Sequence, residues 1–236
     1  MLRFYFDIIT QIPLIIYYIV KIRIMMRHPE RYTDECRYGV ARGMARCVRR
    51  GGNIRTEAFG IENLPKEGGY IMYPNHQGKY DAIGIINSHD APCSIVIDDI
   101  RSRMILTTEF TDVIDGIRLD KTDMKNQVRS IKTLADRVKA GGRYILFPEG
   151  GYDHNGNNLQ EFMPGAFKAA LWSKQPIVPV ALIDSYKPFE YNSLKRVTTK
   201  VYFLKPIPYE EYGSLSTSEI AERVKGLIAE TIAANT

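Results

Sequence analysis

The sequence is poor in cysteine, histidine and tryptophan, and several short catalytic signatures are missing from it. Its 236 residues include three cysteines, four histidines and one tryptophan. Because Cys36, Cys47 and Cys93 form no C-x-x-C pair, the pattern argues against a disulfide framework and a zinc ribbon. A reducing compartment is the simpler expectation. Neither H-E-x-x-H nor G-x-S-x-G occurs, which argues against a zinc protease and a serine hydrolase.

Linker-like stretches and internal repeats are also missing. Hydrophobic residues make up 44% of the chain and charged residues 25%, as is usual for globular proteins. We therefore expect one catalytic domain over residues 53–236, preceded by membrane-anchoring helices over residues 1–52. The formal net charge of +5 suits an anionic partner. Scattered cations without a recognised module argue against nucleic acid as that partner.

The first twenty residues are apolar and aromatic. The stretch 8–20, interrupted by Gln11 and Pro13, would span about 20 Å as a helix, which is shorter than the ~30 Å hydrocarbon core. Basic residues follow from Lys21 onward and would each contribute about 1 kcal/mol beside anionic headgroups. We expect a monotopic helix at the cytoplasmic face of the cell membrane. A single spanning helix and an ordinary core helix are the alternatives, and a secretory signal is disfavoured because no A-x-A cleavage site follows.

Residues 31–50 predict a second helix that carries several arginines. Tyr38, Val40 and Met44 fall roughly on one face. The arginines fall mostly on the other face: Arg42, Arg46, Arg49 and Arg50. That basic face suits either solvent or lipid, and the sequence favours neither.

From residue 54 onward, short apolar strands alternate with helical stretches. Strands are predicted at residues 54–59, 69–73, 94–97, 114–119, 143–147, 177–183 and 197–204. Helices are predicted at residues 82–87, 123–139, 164–172 and 216–234, the last of them begun by a capping box of Ser216 and Glu219. This alternation predicts an α/β fold in which helices flank a mixed, largely parallel sheet.

A turn with acid–base residues follows the second predicted strand. Residues 75–81 contain His76 and Asp81 separated by four residues. Sites in α/β sheets collect at the carboxyl ends of strands, and Asp81 suits the first turn of the next helix. We therefore expect one imidazole nitrogen of His76 to bond Asp81 while the other faces a cavity as a proton acceptor. An ordinary turn is the alternative, because this spacing is also common by chance.

Such a pair suits acyl transfer to an alcohol. A positioned histidine accepts the hydroxyl proton during attack and typically contributes a factor of about 10² to 10⁴, while the carboxylate stabilises the imidazolium. A thiolate departs without protonation, so a thioester donor requires no serine or cysteine nucleophile.

Three further segments accompany this turn. The predicted strand 143–147 ends in Pro-Glu-Gly at residues 148–150, which puts a carboxylate and a flexible backbone at a second strand end. Residues 116–121 offer a glycine turn and cations that suit a phosphate, although an ordinary strand with solvated charges explains them too. Residues 177–182 form an apolar strand, interpreted as core and as a candidate lining of an acyl slot.

Together these blocks resemble the glycerolipid acyltransferases, most closely the bacterial 1-acylglycerol-3-phosphate acyltransferases. The blocks appear in the family's order: Asn75-His76-(four residues)-Asp81, Gly116 to Lys121, Phe147-Pro148-Glu149-Gly150, and Val178-Pro179-Val180. The resemblance covers roughly residues 54–184, and the N-terminal helix pair is similar to membrane-inserted helices of that family.

The resemblance implies a direct transfer without a cofactor or metal. His76 would act as base on the sn-2 hydroxyl of a lysophosphatidate, with Asp81 as its partner, and the donor would be acyl-CoA or acyl carrier protein. It implies these substrate-binding residues: Asn75, Gly116, Arg118, Lys121, Glu149, Gly150 and Pro179.

Two departures from the family pattern bear on the acceptor headgroup. The family usually has arginine at the position of Lys121, and lysine keeps the charge but loses the bidentate fork. After Pro-Glu-Gly the family commonly continues with Thr-Arg-Ser, where this chain has Gly151-Tyr152-Asp153. The candidates to compensate for the missing arginine are Arg118, Arg143 or Lys79.

Two other classes of function are the alternatives. A metal hydrolase would draw its ligands from His76, Asp81, Asp153 and His154, but the usual spacings are missing. A non-catalytic membrane-binding module would keep the N-terminal helices, but it has no reason to carry His76 and Asp81 at a strand end.

Overall fold

The computed structural model describes residues 2–236, and over this range the chain forms one sheet with helices on both faces. The strands are β1 (Ile54–Phe59), β2 (Tyr70–Pro74), β3 (Ser94–Asp98), β4 (Ile117–Leu119), β5 (Arg143–Ile145), β6 (Ile177–Ile183) and β7 (Val197–Phe203). The helices are α1 (Leu2–Met25), α2 (Asp34–Gly51), α3 (Asp81–Ser88), α4 (Asp99–Ser102), α5 (Thr107–Val113), α6 (Met124–Lys139), α7 (Lys168–Ser173), α8 (Lys187–Glu190), α9 (Tyr209–Tyr212) and α10 (Thr217–Asn235).

The sheet is mixed and largely parallel, as predicted. Its seven described strands lie in the order β1-β7-β6-β2-β5-β3-β4. β6 and β7 pair antiparallel, and the other neighbouring strands pair in parallel. The long apolar run of β6 is buried at every position because helices cover both faces of the sheet.

The two faces of the sheet carry separate helical layers. α6, α7 and α10 cover one face, where Leu134, Val138 and Val224 are fully buried. α1, α2, α3 and α5 cover the other, where the buried residues include Ile22 of α1 and Ala41 of α2. The N-terminal helices therefore share a core with the sheet, while the division of the chain at residue 52 stays a prediction.

Some element boundaries differ from the predicted ones. The strand expected at residues 114–119 begins only at Ile117, because Asp115 turns the chain with a φ of 54°. The helix expected at residues 164–172 starts as a 3₁₀ turn over Pro164–Phe167. Helices α4 and α5 were not predicted. The capping box of Ser216 and Glu219 does begin α10.

α1 lies along the domain and is fixed to it near both ends. Arg3 is buried and donates to the backbone carbonyl oxygens of Pro188, at 3.1 Å, and Lys195. Arg23 pairs with Glu109 of α5 at 2.7 Å. The outward face remains exposed and apolar over the whole length: Leu2, Tyr5, Phe6, Ile9, Ile12, Leu14, Ile16, Tyr17, Val20 and Ile24. Among residues 2–236, α1 is the one helix long and apolar enough to cross a membrane by length and composition.

Candidate active site

His76 and Asp81 meet at the carboxyl end of β2. β2 ends at Pro74, the chain turns, and α3 begins at Asp81. Nδ1 of His76 lies 2.7 Å from Oδ2 of Asp81. The His76 side chain is 16% exposed and that of Asp81 is fully buried. With Nδ1 engaged by the carboxylate, the second ring nitrogen, Nε2, is available to accept a proton.

The same carboxylate oxygen organises the turn that carries His76. The backbone N–H groups of Gln77 and Gly78 donate to Oδ2 of Asp81 at 2.5 and 2.9 Å. Two backbone donors and an imidazole stabilise the negative charge of a carboxylate that is out of contact with water. Asp81 therefore fixes both the orientation of the ring and the backbone that holds the ring.

Two aromatic side chains enclose the imidazole. The ring of His76 stacks on Phe147, with centroids 4.1 Å apart, and the ring of Tyr152 meets it edge-on at 4.8 Å. Phe147 belongs to the Phe-Pro-Glu-Gly block, which follows β5. Because β5 pairs directly with β2, the two predicted blocks lie at neighbouring strand ends. Tyr152 was not among the predicted site residues.

Asn75 links β2 to β6. Its side-chain amide donates to the backbone carbonyl of Leu182 at 3.0 Å, and its carbonyl oxygen accepts from the Leu182 N–H at 2.7 Å. The side chain thus extends the pairing of the two strands past Pro74. Sequence reasoning assigned Asn75 to substrate binding, and the structure gives its side chain this positioning role.

Gln77 and Asn157 hold the same turn from the other side and were missed by sequence reasoning. Gln77 accepts from the backbone N–H of Ser185 and donates to Asn157, both at 2.8 Å. Asn157 in turn accepts from the backbone N–H of Asp184 at 2.9 Å. A polar pair between a strand-end turn and a distant loop leaves no periodic signal in the sequence.

Glu149 is buried beside the His76 turn. Its Oε2 accepts from Gln160 at 2.9 Å. Burial raises the pKa of Glu149 from 4.5 to about 7, against the lowering effect of Gln160 and of the nearby backbone N–H of His76. Gly150 follows with a φ of 71°, the left-handed region that favours glycine.

The glycine-to-basic block reaches the site only through its last residue. Nζ of Lys121 donates to the backbone carbonyl of Gly150 at 2.5 Å. Arg118 instead pairs with Asp112 at 2.6 Å. Gly116 allows a tight turn, since a Cβ there would lie 2.6 Å from a methyl carbon of Thr111. Of the three predicted positions, the structure brings Lys121 to the Pro-Glu-Gly turn.

The remaining predicted residues lie elsewhere. Pro179 is buried inside β6 beside Tyr73. Arg143 begins β5, at the opposite end of that strand from Phe147, and donates to the carbonyl of Lys66. Lys79 lies over the ring of Phe4 in α1, 4.8 Å from the centroid. Neither of these cations is placed beside Lys121.

His154 and Asp153 do not assemble with His76 into a cluster of metal ligands. Nδ1 of His154 lies 2.7 Å from the carboxylate of Glu190. Over residues 2–236, three or more His, Cys, Asp or Glu side chains nowhere come together as a set that could hold a metal ion.

Fold and site together define a class of protein: an α/β protein that presents a carboxylate-oriented histidine at the carboxyl edge of a largely parallel sheet. Comparison with known families gives this class a name. The family model described as Acyltransferase matches residues 55–183, and the chain belongs to that family.

Individual relatives agree with this assignment. The human protein named 1-acyl-sn-glycerol-3-phosphate acyltransferase alpha is 28% identical over 180 residues, which cover 73% of this chain and 62% of the relative. The Escherichia coli protein named 1-acyl-sn-glycerol-3-phosphate acyltransferase is 27% identical over 185 residues, covering 76% and 74%. The chain therefore spans less than two thirds of the human relative's length.

A solved structure supports the fold. The crystal structure of the 1-acyl-sn-glycerophosphate (LPA) acyltransferase, PlsC, from Thermotoga maritima matches with a TM-score of 0.79 at 18% identity. The match covers 99% of this chain and 93% of the other, so it includes the N-terminal helices as well as the sheet.

Proposed function

We propose that this protein is an O-acyltransferase that moves a fatty acyl group from a thioester to the sn-2 hydroxyl of a lysophosphatidate, giving phosphatidate. The observation that carries the proposal is the 2.7 Å contact of His76 with the buried Asp81, made at a strand end enclosed by the Phe-Pro-Glu-Gly block. Relatives named 1-acyl-sn-glycerol-3-phosphate acyltransferases support the choice of reaction.

In the proposed reaction, Nε2 of His76 accepts the proton of the lysolipid hydroxyl as its oxygen attacks the thioester carbonyl carbon. A C–O bond forms and a tetrahedral intermediate carries the negative charge. The C–S bond then breaks, and the thiolate departs and takes the proton from His76 or from solvent. Asp81 stabilises the positive charge that the imidazolium carries in between. No acyl-enzyme is formed, so the hydroxyl and the thioester must be bound together.

Lys121 is the predicted cation that the fold brings to the Pro-Glu-Gly turn, and we assign it to the phosphate of the acceptor. The donor is acyl-CoA or acyl carrier protein, whose shared chemistry is the thioester. A lysolipid with another headgroup is the second candidate acceptor. Tyr152 and Asp153 favour it, because they put an aromatic ring and an acid directly after Pro-Glu-Gly.

The enzyme would work as a monotopic protein at the cytoplasmic face of the membrane. A spanning α1 would have to release the contacts of Arg3 with two carbonyls and of Arg23 with Glu109, exposing buried charge. Lying flat, α1 keeps those contacts and turns its exposed apolar side chains to one leaflet. A groove of about 850 Å³ between α1 and α2 includes Lys21 and Arg46 in its lining, which suits anionic headgroups.

The direct test is acyl transfer by purified protein. Lysophosphatidate and lysolipids with other headgroups would be offered with labelled acyl-CoA and acyl-(acyl carrier protein). We expect transfer to lysophosphatidate, and its loss by a factor of about 10² or more in His76→Ala. His28→Ala is the matched control, because His28 is exposed beside Glu30, outside the site.

Two results would count against the proposal. Transfer at the wild-type rate by His76→Ala would exclude His76 as the general base. A folded protein that binds vesicles but acylates none of the lysolipids would favour a non-catalytic membrane-binding protein.

A further inference from the structure

The segment from α4 to the start of α5, residues 99–106, displays large apolar side chains to solvent. Ile100 is 72% exposed, Met104 63% and Ile105 77%. Single exposed apolar residues are common on protein surfaces, but clustered ones mark interaction sites. Three such side chains within six positions therefore require a partner that buries them.

This segment has a defined backbone. The hydroxyl of Thr108 donates to the carbonyl of Ser102 at 3.0 Å. The N–H of Leu106 donates to the carboxylate of Glu109 at 3.0 Å, which caps α5. Because the middle and the C-terminal end of the segment are held by these hydrogen bonds, the apolar side chains are presented on a fixed backbone.

The segment adjoins the apolar face of α1. Glu109, which caps α5 just after the segment, also binds Arg23 of α1 through Nε and Nη2, at 2.9 and 2.7 Å. Val20 and Ile24 lie on either side of Arg23 in sequence and are exposed. The ion pair therefore joins the two stretches of the described chain where exposed apolar side chains are concentrated.

The charges in the segment favour a lipid surface over an acidic protein. Arg103 is already neutralised by Asp99, at 2.9 and 3.0 Å. Arg101 makes no ion pair with any described carboxylate; instead its guanidinium lies over the ring of Tyr152. Arg101 is thus one available cation next to three apolar side chains. In such a pattern the cation meets the lipid headgroups while the apolar neighbours enter the boundary of the acyl chains.

The segment is also close to the proposed base. Cζ of Arg101 lies 5.4 Å from the centroid of the Tyr152 ring, and that ring lies 4.8 Å from the ring of His76. A bilayer contacted by residues 99–106 would therefore lie beside the imidazole. A bilayer contacted by α1 alone would be held only against the helical layer on one face of the sheet.

We propose that residues 99–106 form a second membrane-contact element, which inserts Ile100, Met104 and Ile105 into the interface of an anionic bilayer. Together with α1 it holds the opening beside His76 at the level of the headgroups. The inferred contact with the bilayer depends only on the exposed side chains of this segment. The purpose of the contact, which is passage of a lysolipid from the leaflet to His76, rests on the proposed function.

Tryptophan fluorescence tests the contact directly, because Trp172 is the one tryptophan of the chain. Ile105→Trp in a Trp172→Phe background would be bound to vesicles of equimolar phosphatidylglycerol and phosphatidylcholine with brominated acyl chains. We expect a blue shift and strong quenching. Wild-type Trp172 is the control: it lies on α7, in the helical layer across the sheet from α1, and should not be quenched. Bound protein with unquenched Trp at position 105 would overturn the proposal.

A second measurement uses the triple variant Ile100→Ser/Met104→Ser/Ile105→Ser. We expect its partition to the same vesicles to fall by about tenfold or more, since each side chain loses apolar burial. The matched control is Val128→Ser/Trp172→Ser, which removes side chains 44% and 45% exposed on α6 and α7, and it should partition like the wild type.

Activity separates this inference from the proposed function. With a short-chain lysolipid dispersed as monomers, the triple variant should keep the wild-type rate, but with acceptor in vesicles its rate should fall. If no acyl transfer is seen at all, the proposed function fails and the fluorescence result still decides the contact. Unchanged vesicle partition with a raised KM for acyl carrier protein alone would overturn the membrane contact in favour of a carrier surface.

Discussion

The imidazole of His76 lies on the ring of Phe147, with centroids 4.1 Å apart and planes inclined by 26°. The two residues follow different strands, β2 and β5. The pairing of these strands continues towards the site through the N–H of Leu146, which donates to the carbonyl of Met72 at 2.9 Å. The position of the proposed base thus depends on the register of two neighbouring strands as well as on its own turn.

Phe147→Leu should reduce turnover while leaving the fold intact. Leucine fills most of the apolar space, at a cost of less than about 1.5 kcal/mol in unfolding free energy, but offers no flat surface to the imidazole. We expect kcat to fall by about tenfold, with little change in KM. Steady-state kinetics and thermal unfolding check this, and an unchanged kcat would show that the stacking does not orient the ring.

Asp81→Asn should abolish most activity. The amide oxygen can still accept the backbone N–H groups, but the neutral side chain no longer stabilises an imidazolium or enforces the tautomer of His76. A fall in kcat by about 10² to 10⁴ is expected. Circular dichroism would establish that the variant is folded, and a loss of less than threefold would contradict the assigned role.

The buried Glu149 should make stability depend on pH. Its pKa is raised from 4.5 to about 7 by burial, so the folded state holds the proton more tightly than the unfolded state does. The contribution of the protonated carboxyl to stability is full below about pH 4.5 and is lost as pH rises towards 7. The melting temperature of the wild type, measured relative to that of Glu149→Gln, should therefore fall as pH rises from about 4.5 to 7. If melting temperature depended on pH in the same way in both proteins, the raised pKa of Glu149 would be excluded.

Gly69 and Gly226 should respond oppositely to alanine. A Cβ on Gly69 would lie 2.0 Å from the backbone carbonyl oxygen of Val138, so Gly69→Ala must displace α6 or β2, and we expect a loss of about 2 kcal/mol or more. Gly226 lies within α10 with open space around it, and Gly226→Ala should gain about 0.5–1 kcal/mol. Denaturant unfolding measures the change in unfolding free energy for each variant. Changes of the same sign in the two variants would contradict the prediction.

Much of the fold followed from the sequence because the relevant signals are local. The apolar run of residues 177–183 predicted a fully buried strand, and β6 is one. The capping box at Ser216 marked the start of α10. α4 and α5 were not predicted because they are only four and seven residues long, too short to show a clear helical period.

Some features of the site were likewise predictable from the sequence, and others were not. The contact between His76 and Asp81 was predictable, since both lie in one short turn whose strand and helix signals are clear. Tyr152 could have been suspected only as a departure from the family pattern, and the role of Asn75 as a link to Leu182 had no signal, because the two residues are 107 positions apart.

By itself, the sequence determined the alternation of strands and helices, the acid–base pair and the apolar character of the N-terminal helix, because each depends on residues close together in the chain. Tertiary structure alone decided that Phe147 forms a wall of the site, that Lys121 and not Arg118 reaches the Pro-Glu-Gly turn, and that α1 is fixed to the domain near both ends. Those outcomes depend on strand order and on which charges find partners, and both are set by packing between distant segments.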